Sequence, residues 1–197
     1  MSTPFDLSSQ SYNIYNELKA RKILEKYTDY HYTFEKNSDK YGFDLLVFRY
    51  TDIENNFRKN HLGYIEVECA VNWRNFHFPN NWYCVSFLKR KFYDFDFTKR
   101  VWINYKKDVD KTIYLKFNHP MNNCFCKEMM YIIQYGKDSA RNKKNDYFNS
   151  FIELDINQVC WGIDRCIYYI TDFFINIENS KNNDVRYETE ELEMELL

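Results

Sequence analysis

A chain of 197 residues, 45% of them apolar, is long enough to bury a core and fits one domain. Only 4 Gly and 3 Pro exclude a low-complexity or disordered chain, and a formal charge of -2 excludes a global basic field that would pull the molecule onto nucleic acid. Aromatic residues make up 20% of the chain, with 18 Tyr and 17 Phe, a composition that favours strands.

Residues 8–26 carry Ile14, Leu18, Ile23 and Leu24 near helical spacing, behind serines able to cap, and this predicts a helix. A short strand is expected at 31–37, a turn at 38–42 and a strand of the buried type at 43–50 (FDLLVFRY). Residues 52–61 are polar and read as a loop; Gly63 then opens a strand over 64–71 (YIEVECAV). An aromatic, Pro-bearing loop covers 74–81, and further strands are expected at 82–88, 101–105, 112–117, 129–135 and 148–155. The segment 137–146 reads as a charged loop. Residues 163–176 are apolar on nearly every face and fit a helix or a strand. From about Glu178 the chain is polar and acidic and is expected to fray. No repeat or linker divides it, so the expected organisation is one domain over 1–177 and an acidic, flexible tail over 178–197.

Charge is unevenly placed. Lys89-Arg90-Lys91, Lys99-Arg100, Lys106-Lys107 and residues 141–144 make the middle basic, whereas Glu188 to Glu195 make the tail acidic. A local basic face and a scatter of solvated charges fit this pattern equally. The start has no apolar segment of the secretory kind and no run is long enough to span a membrane, so a cytoplasmic protein with six free thiols is expected. Cys124-x-Cys126 invites a zinc reading. Its partners Cys160 and Cys166 lie far off in sequence without paired-knuckle spacing, which makes structural thiols the simpler reading.

The chemistry concentrates on the strand YIEVECAV. Residues two apart share a face of a strand, so Tyr64, Glu66, Glu68 and Ala70 point one way and Ile65, Val67, Cys69 and Val71 the other. If the preceding strand pairs with it, Asp44 joins the two glutamates. Clustered carboxylates repel one another, and a hard divalent cation, magnesium or manganese, is the usual compensation. An edge strand whose glutamates face water has the same alternation. The four histidines are dispersed, and there is no Gly-rich phosphate loop, H-E-x-x-H or nucleophile elbow.

The order helix, strand, Asp44, then Gly63-Tyr64-Ile65-Glu66-Val67-Glu68 resembles the core of the PD-(D/E)xK nuclease superfamily over about residues 10–92. Asp44 matches the motif aspartate, Glu66 the first residue of the E-x-K pair and Glu68 the lysine position. Some restriction enzymes of the superfamily carry E-x-E there, while a missing lysine also marks members that have lost activity. The resemblance implies an α/β (α+β) single domain with a mixed central sheet of restriction-endonuclease-like type, flanked by helices and extended by C-terminal strands. It implies magnesium or manganese on Asp44, Glu66 and Glu68, with Glu17 as a further ligand in preference to Glu25. Lys89 or Lys91 would replace the absent lysine, and Lys89, Arg90 and Lys91 would bind the nucleic-acid backbone. DNA is the expected partner, with no membrane and with a homodimer as one assembly the family allows. The rival expectation is a catalytically silent scaffold that binds nucleic acid or protein. Trp73 and Trp82 are expected in the core rather than as base-stacking platforms.

Overall fold

The predicted N-terminal helix is realised as α1 (Leu7–Tyr27), which buries Ala20 and Leu24, four residues apart on one face. The structure, a computed structural model, describes residues 7–28, 31–39, 42–53, 56–70, 72–79, 82–96, 98–99, 101–140 and 150–195, with side chains described outside 7–14, 52–53, 56–57, 95 and 182–195. After α1 come β1 (Tyr32–Lys36), β2 (Leu45–Ile53) and β3 (Asn56–Ala70). Next are β4 (Cys84–Leu88), a 3-10 turn at Lys89–Lys91, β5 (Tyr93–Asp96) and β6 (Val101–Tyr105). A second 3-10 turn at Val109–Lys111 leads into β7 (Thr112–Asn118), β8 (Cys124–Glu128) and α2 (Met129–Tyr135). The chain closes with β9 (Lys137–Asp138), β10 (Phe151–Asp155), β11 (Cys160–Trp161) and α3 (Ile163–Glu195).

Six strands form a mixed sheet in the order β1-β2-β3-β7-β8-β11, in which β3 and β7 run parallel and the other neighbours antiparallel. A parallel pair needs a long crossover. Here it is the segment 71–111, which carries β4 out to a second sheet, β4-β10-β9, and also forms the β5–β6 ribbon. The large sheet is buried on both faces. Leu45, Val47, Ile65, Val67, Ile113, Leu115 and Phe117 pack against α1 and α3, where Cys166, Ile167, Ile170 and Phe174 recur at helical spacing. On the other face Phe43, Tyr114 and Phe125 meet Trp73, Val85, Phe87, Phe92 and the buried side of α2. This mixed α+β architecture, a central sheet flanked by helices, is the fold class expected from the sequence.

Several elements differ from their sequence reading. Residues 52–61 are not a loop: β2 runs to Ile53 and β3 starts at Asn56, paired in register. Lys59 and Asn60 are exposed there, and a ribbon with water on both faces needs no apolar alternation. A bulge at Val47/Phe48 pairs Val47 with Gly63 and Phe48 with His61, so Leu62 is the extra residue, and it is buried. Residues 129–135 form the helix α2 rather than a strand. MMYIIQY is apolar throughout, so period alone does not separate the two, and burial of Met129 and Ile132 three apart selects the helix. Residues 163–176 belong to α3, which continues unbroken past Glu178 to Glu195. The strands at 93–96, 124–128 and 160–161 had no sequence signal strong enough to place them. Residues 141–149, which include a basic run, and Arg100 lie outside the described residues.

Candidate active site

Parallel pairing of β3 with β7 sets Glu66 opposite Tyr114 and Glu68 opposite Lys116. Since Ile65, Val67, Ile113 and Leu115 occupy the helix-covered face, these four polar residues share the other one. The Tyr114 hydroxyl donates to Glu68 Oε2, and Lys116 Nζ lies 2.6 Å from Glu68 Oε1. Lys116 also donates to the Ser86 carbonyl of β4 at 3.0 Å, which fixes the ammonium between the two sheets. Burial, and then the neighbouring Glu68, hold the Tyr114 hydroxyl well above its ordinary pKa, so it remains a donor.

Asp44 precedes β2, at the point where the β2–β3 ladder begins. Its carboxylate takes over a ladder bond: the Val67 N–H donates to Asp44 Oδ2 at 2.8 Å. Its carbonyl meanwhile accepts from Asn37 N at 3.0 Å. This places Asp44 beside Glu66, which is buried to 1% exposure. Burial, reinforced by the Asp44 charge, pushes the Glu66 carboxyl up to about 8, although Lys91 pulls in the opposite direction. Lys91 reaches Glu66 Oε1 from the 3-10 turn after β4 as an ion pair. Burial alone would lower the Lys91 pKa, but the carboxylates of Glu66 and Asp44 outweigh it and raise it, so the ammonium stays charged.

A cleft of about 230 Å³ opens over this cluster, lined by Glu17, Asp44, Glu68, Arg90 and Lys91 among others. Glu17 enters from α1 and pairs with Lys36 at 3.2 Å, and burial followed by the proximity of Asp44 raises its pKa. Glu66 Oε1 and Glu17 Oε2 are both buried, the first facing the Lys91 ammonium and the second that of Lys36. The oxygens able to ligate a hard cation are therefore those of Asp44, Glu68 and Glu17 around the cleft, with Glu66 beneath them.

The residues singled out in the sequence do not all converge. Asp44, Glu66, Glu68, Glu17 and Lys91 come together; Lys89 instead pairs with Asp138 of β9 at 2.6 Å and points away. Arg90 lines the rim of the cleft. Glu25 pairs with Arg21 along α1 at 2.8 Å. Trp73 is fully buried, and Trp82 packs its ring 5.0 Å from Phe78. Sequence reasoning missed Tyr114 and Lys116. A lysine within the otherwise buried run TIYLKFN was the available signal, but the parallel register that brings it to Glu68 has no local signature.

No protein-family model matches the chain, and a search of curated proteins finds no match. Among solved structures, the structure of D212, a nuclease from a fusselovirus, is similar at a TM-score of 0.43 and 9% identity, covering 89% of this chain and 98% of that one.

Proposed function

We propose that the protein is a divalent-cation-dependent nuclease that hydrolyses DNA phosphodiester bonds in the cleft over Asp44, Glu66 and Glu68. The observation that carries this reading is the convergence of oxygen donors: the carboxyl groups of Asp44, Glu66 and Glu68 come together at one cleft, and one of them is fully buried. Hard oxygen donors of this number suit magnesium or manganese. The E-x-E form of the PD-(D/E)xK pattern supports the same assignment. Bound magnesium or manganese would supply Lewis-acid charge at the scissile phosphate and acidify a coordinated water.

The chain's own residues do the rest. Asp44, locked by the Val67 amide, and Glu66 would hold the cation, and Glu66 would give up its proton to do so. Tyr114 and Lys116 hold Glu68 in one orientation toward the cleft, while Lys91 supplies the positive charge that the motif lysine would give. Arg90 at the rim is placed to contact the nucleic-acid backbone. A second reading, a silent scaffold, is favoured by one specific observation: Lys91 and Lys116 already engage the two glutamates.

Calorimetry with manganese and cleavage of plasmid and single-stranded DNA separate the two. The nuclease reading expects cation binding that Asp44→Asn and Glu66→Gln each weaken, together with cleavage abolished by a chelator. A wild-type protein that neither binds manganese nor cuts DNA would establish the silent scaffold.

A further inference from the structure

A second cluster of ligating atoms lies on the opposite face of the sheet. The Sγ atoms of Cys126, Cys160 and Cys166 all lie within 4.8 Å of one another, and all three are free thiols. They come from three elements. Cys126 and Cys160 are direct partners in the β8–β11 register, and Cys166 sits in the first turn of α3. The turn that joins them depends on Gly162, whose φ of +89° is a backbone conformation that suits glycine. Its N–H donates to the Cys124 carbonyl at 2.9 Å, and its carbonyl accepts from the Cys166 N–H at 2.9 Å, so the first turn of α3 is pinned over β8.

From this arrangement we infer that Cys126, Cys160 and Cys166 bind a structural zinc ion as thiolates. Tetrahedral zinc with bonds of about 2.3 Å sets its sulfurs about 3.8 Å apart, a contraction of roughly 1 Å or less from the spacing seen. Three soft donors select zinc over magnesium or calcium. Each thiol that ligates releases its proton to solvent, and the positive charges of Lys127 and Arg165 near Cys160 offset the excess negative charge of a thiolate site. Cys126 and Cys166 are buried, whereas Cys160 is only half-buried and leaves an entry path. Packing alone accounts for a buried cysteine, but not for three thiol groups from three elements converging at one point. Such an ion would fasten α3 to the edge of the central sheet.

The test uses the full chain, purified under reducing conditions without chelator. One equivalent of zinc is expected by elemental analysis. Cobalt replacing it should show thiolate-to-metal charge transfer and intense tetrahedral visible bands. Cys160→Ser should lower cobalt affinity by at least about tenfold, whereas Cys84→Ser, outside the cluster, should leave it unchanged. The Asp44→Asn, Glu66→Gln double variant should keep the full thiolate signal, so failure of the carboxylate site is read separately. A wild-type protein with only trace metal and no thiolate–cobalt absorption would overturn the inference without any variant having to fold. A Cys126–Cys160 disulfide in the purified protein, or unchanged affinity in Cys160→Ser, would overturn it as well.

Discussion

Glu66 is a buried acid whose carboxyl is pushed up to about 8 even beside Lys91, and its proton couples stability to cation affinity. Its folded-state pKa of about 8 lies above the ordinary 4.5, so the stabilisation it gives is fully present below 4.5 and is lost as pH rises through about 8. In the absence of divalent cations, urea midpoints should therefore fall across that window, and Glu66→Gln should flatten the slope. Manganese affinity should run the other way, tightening with pH until Glu66 has ionised near 8, because binding displaces its proton. Lys91 stays charged throughout, so Lys91→Met strands a buried carboxylate and should cost roughly 3–5 kcal/mol at alkaline pH. On substrate the two lysines of the 3-10 turn should part company. Lys91→Ala should reduce turnover by about 10²–10³-fold, as for the loss of a transition-state contact. Lys89→Ala, in an ion pair with Asp138, should leave turnover unchanged under saturating DNA. The strand alternation of 64–71 made the two glutamates visible in the sequence. Of their counter-charges, Lys91 was named from the sequence and Lys116 was not, because Lys116 meets Glu68 only through a crossover.

At the scale of elements, the residues that set close approaches matter more than those that set period. Gly63 lies beside the Lys111 carbonyl and the Phe174 ring, so a methyl group there would press on backbone that cannot move aside. Gly63→Ala should destabilise by about 1–3 kcal/mol without moving the carboxylates, read as a lower thermal midpoint with unchanged metal stoichiometry. The strands at 31–37, 101–105 and 112–117 were legible from their aromatic and β-branched residues rather than from burial, which alternates only in the first, while 163–176 stayed open between helix and strand. α2 and the β2–β3 ribbon were not legible, and for opposite reasons. The helix is apolar at nearly every position, whereas the ribbon is polar on both sides, and in neither does the sequence alternate in a way that reveals its geometry. Strands of two residues, such as Cys160–Trp161, are fixed by their partners alone.

In the whole molecule, the central sheet divides two cores and two side-chain clusters: carboxyl groups under the second sheet and thiols under α3. The sequence conveyed the class of fold through its elements, but not the division, which arises from the parallel step between β3 and β7. That step also has a kinetic consequence. β1, β2 and β3 pair with their chain neighbours and can form early, whereas β7 must wait for closure of the 71–111 crossover, whose entropic cost comes before its contacts. Asp44, Glu66 and Glu68 therefore assemble before the ammonium groups that balance them arrive, and their mutual repulsion falls on the barrier rather than on the native state. Refolding should accelerate when that repulsion is relieved by divalent ions, and Asp44→Asn should fold faster than wild type in stopped-flow measurements. The acidic cluster would then act as a brake on the molecule's own folding, released by the cation proposed to bind it.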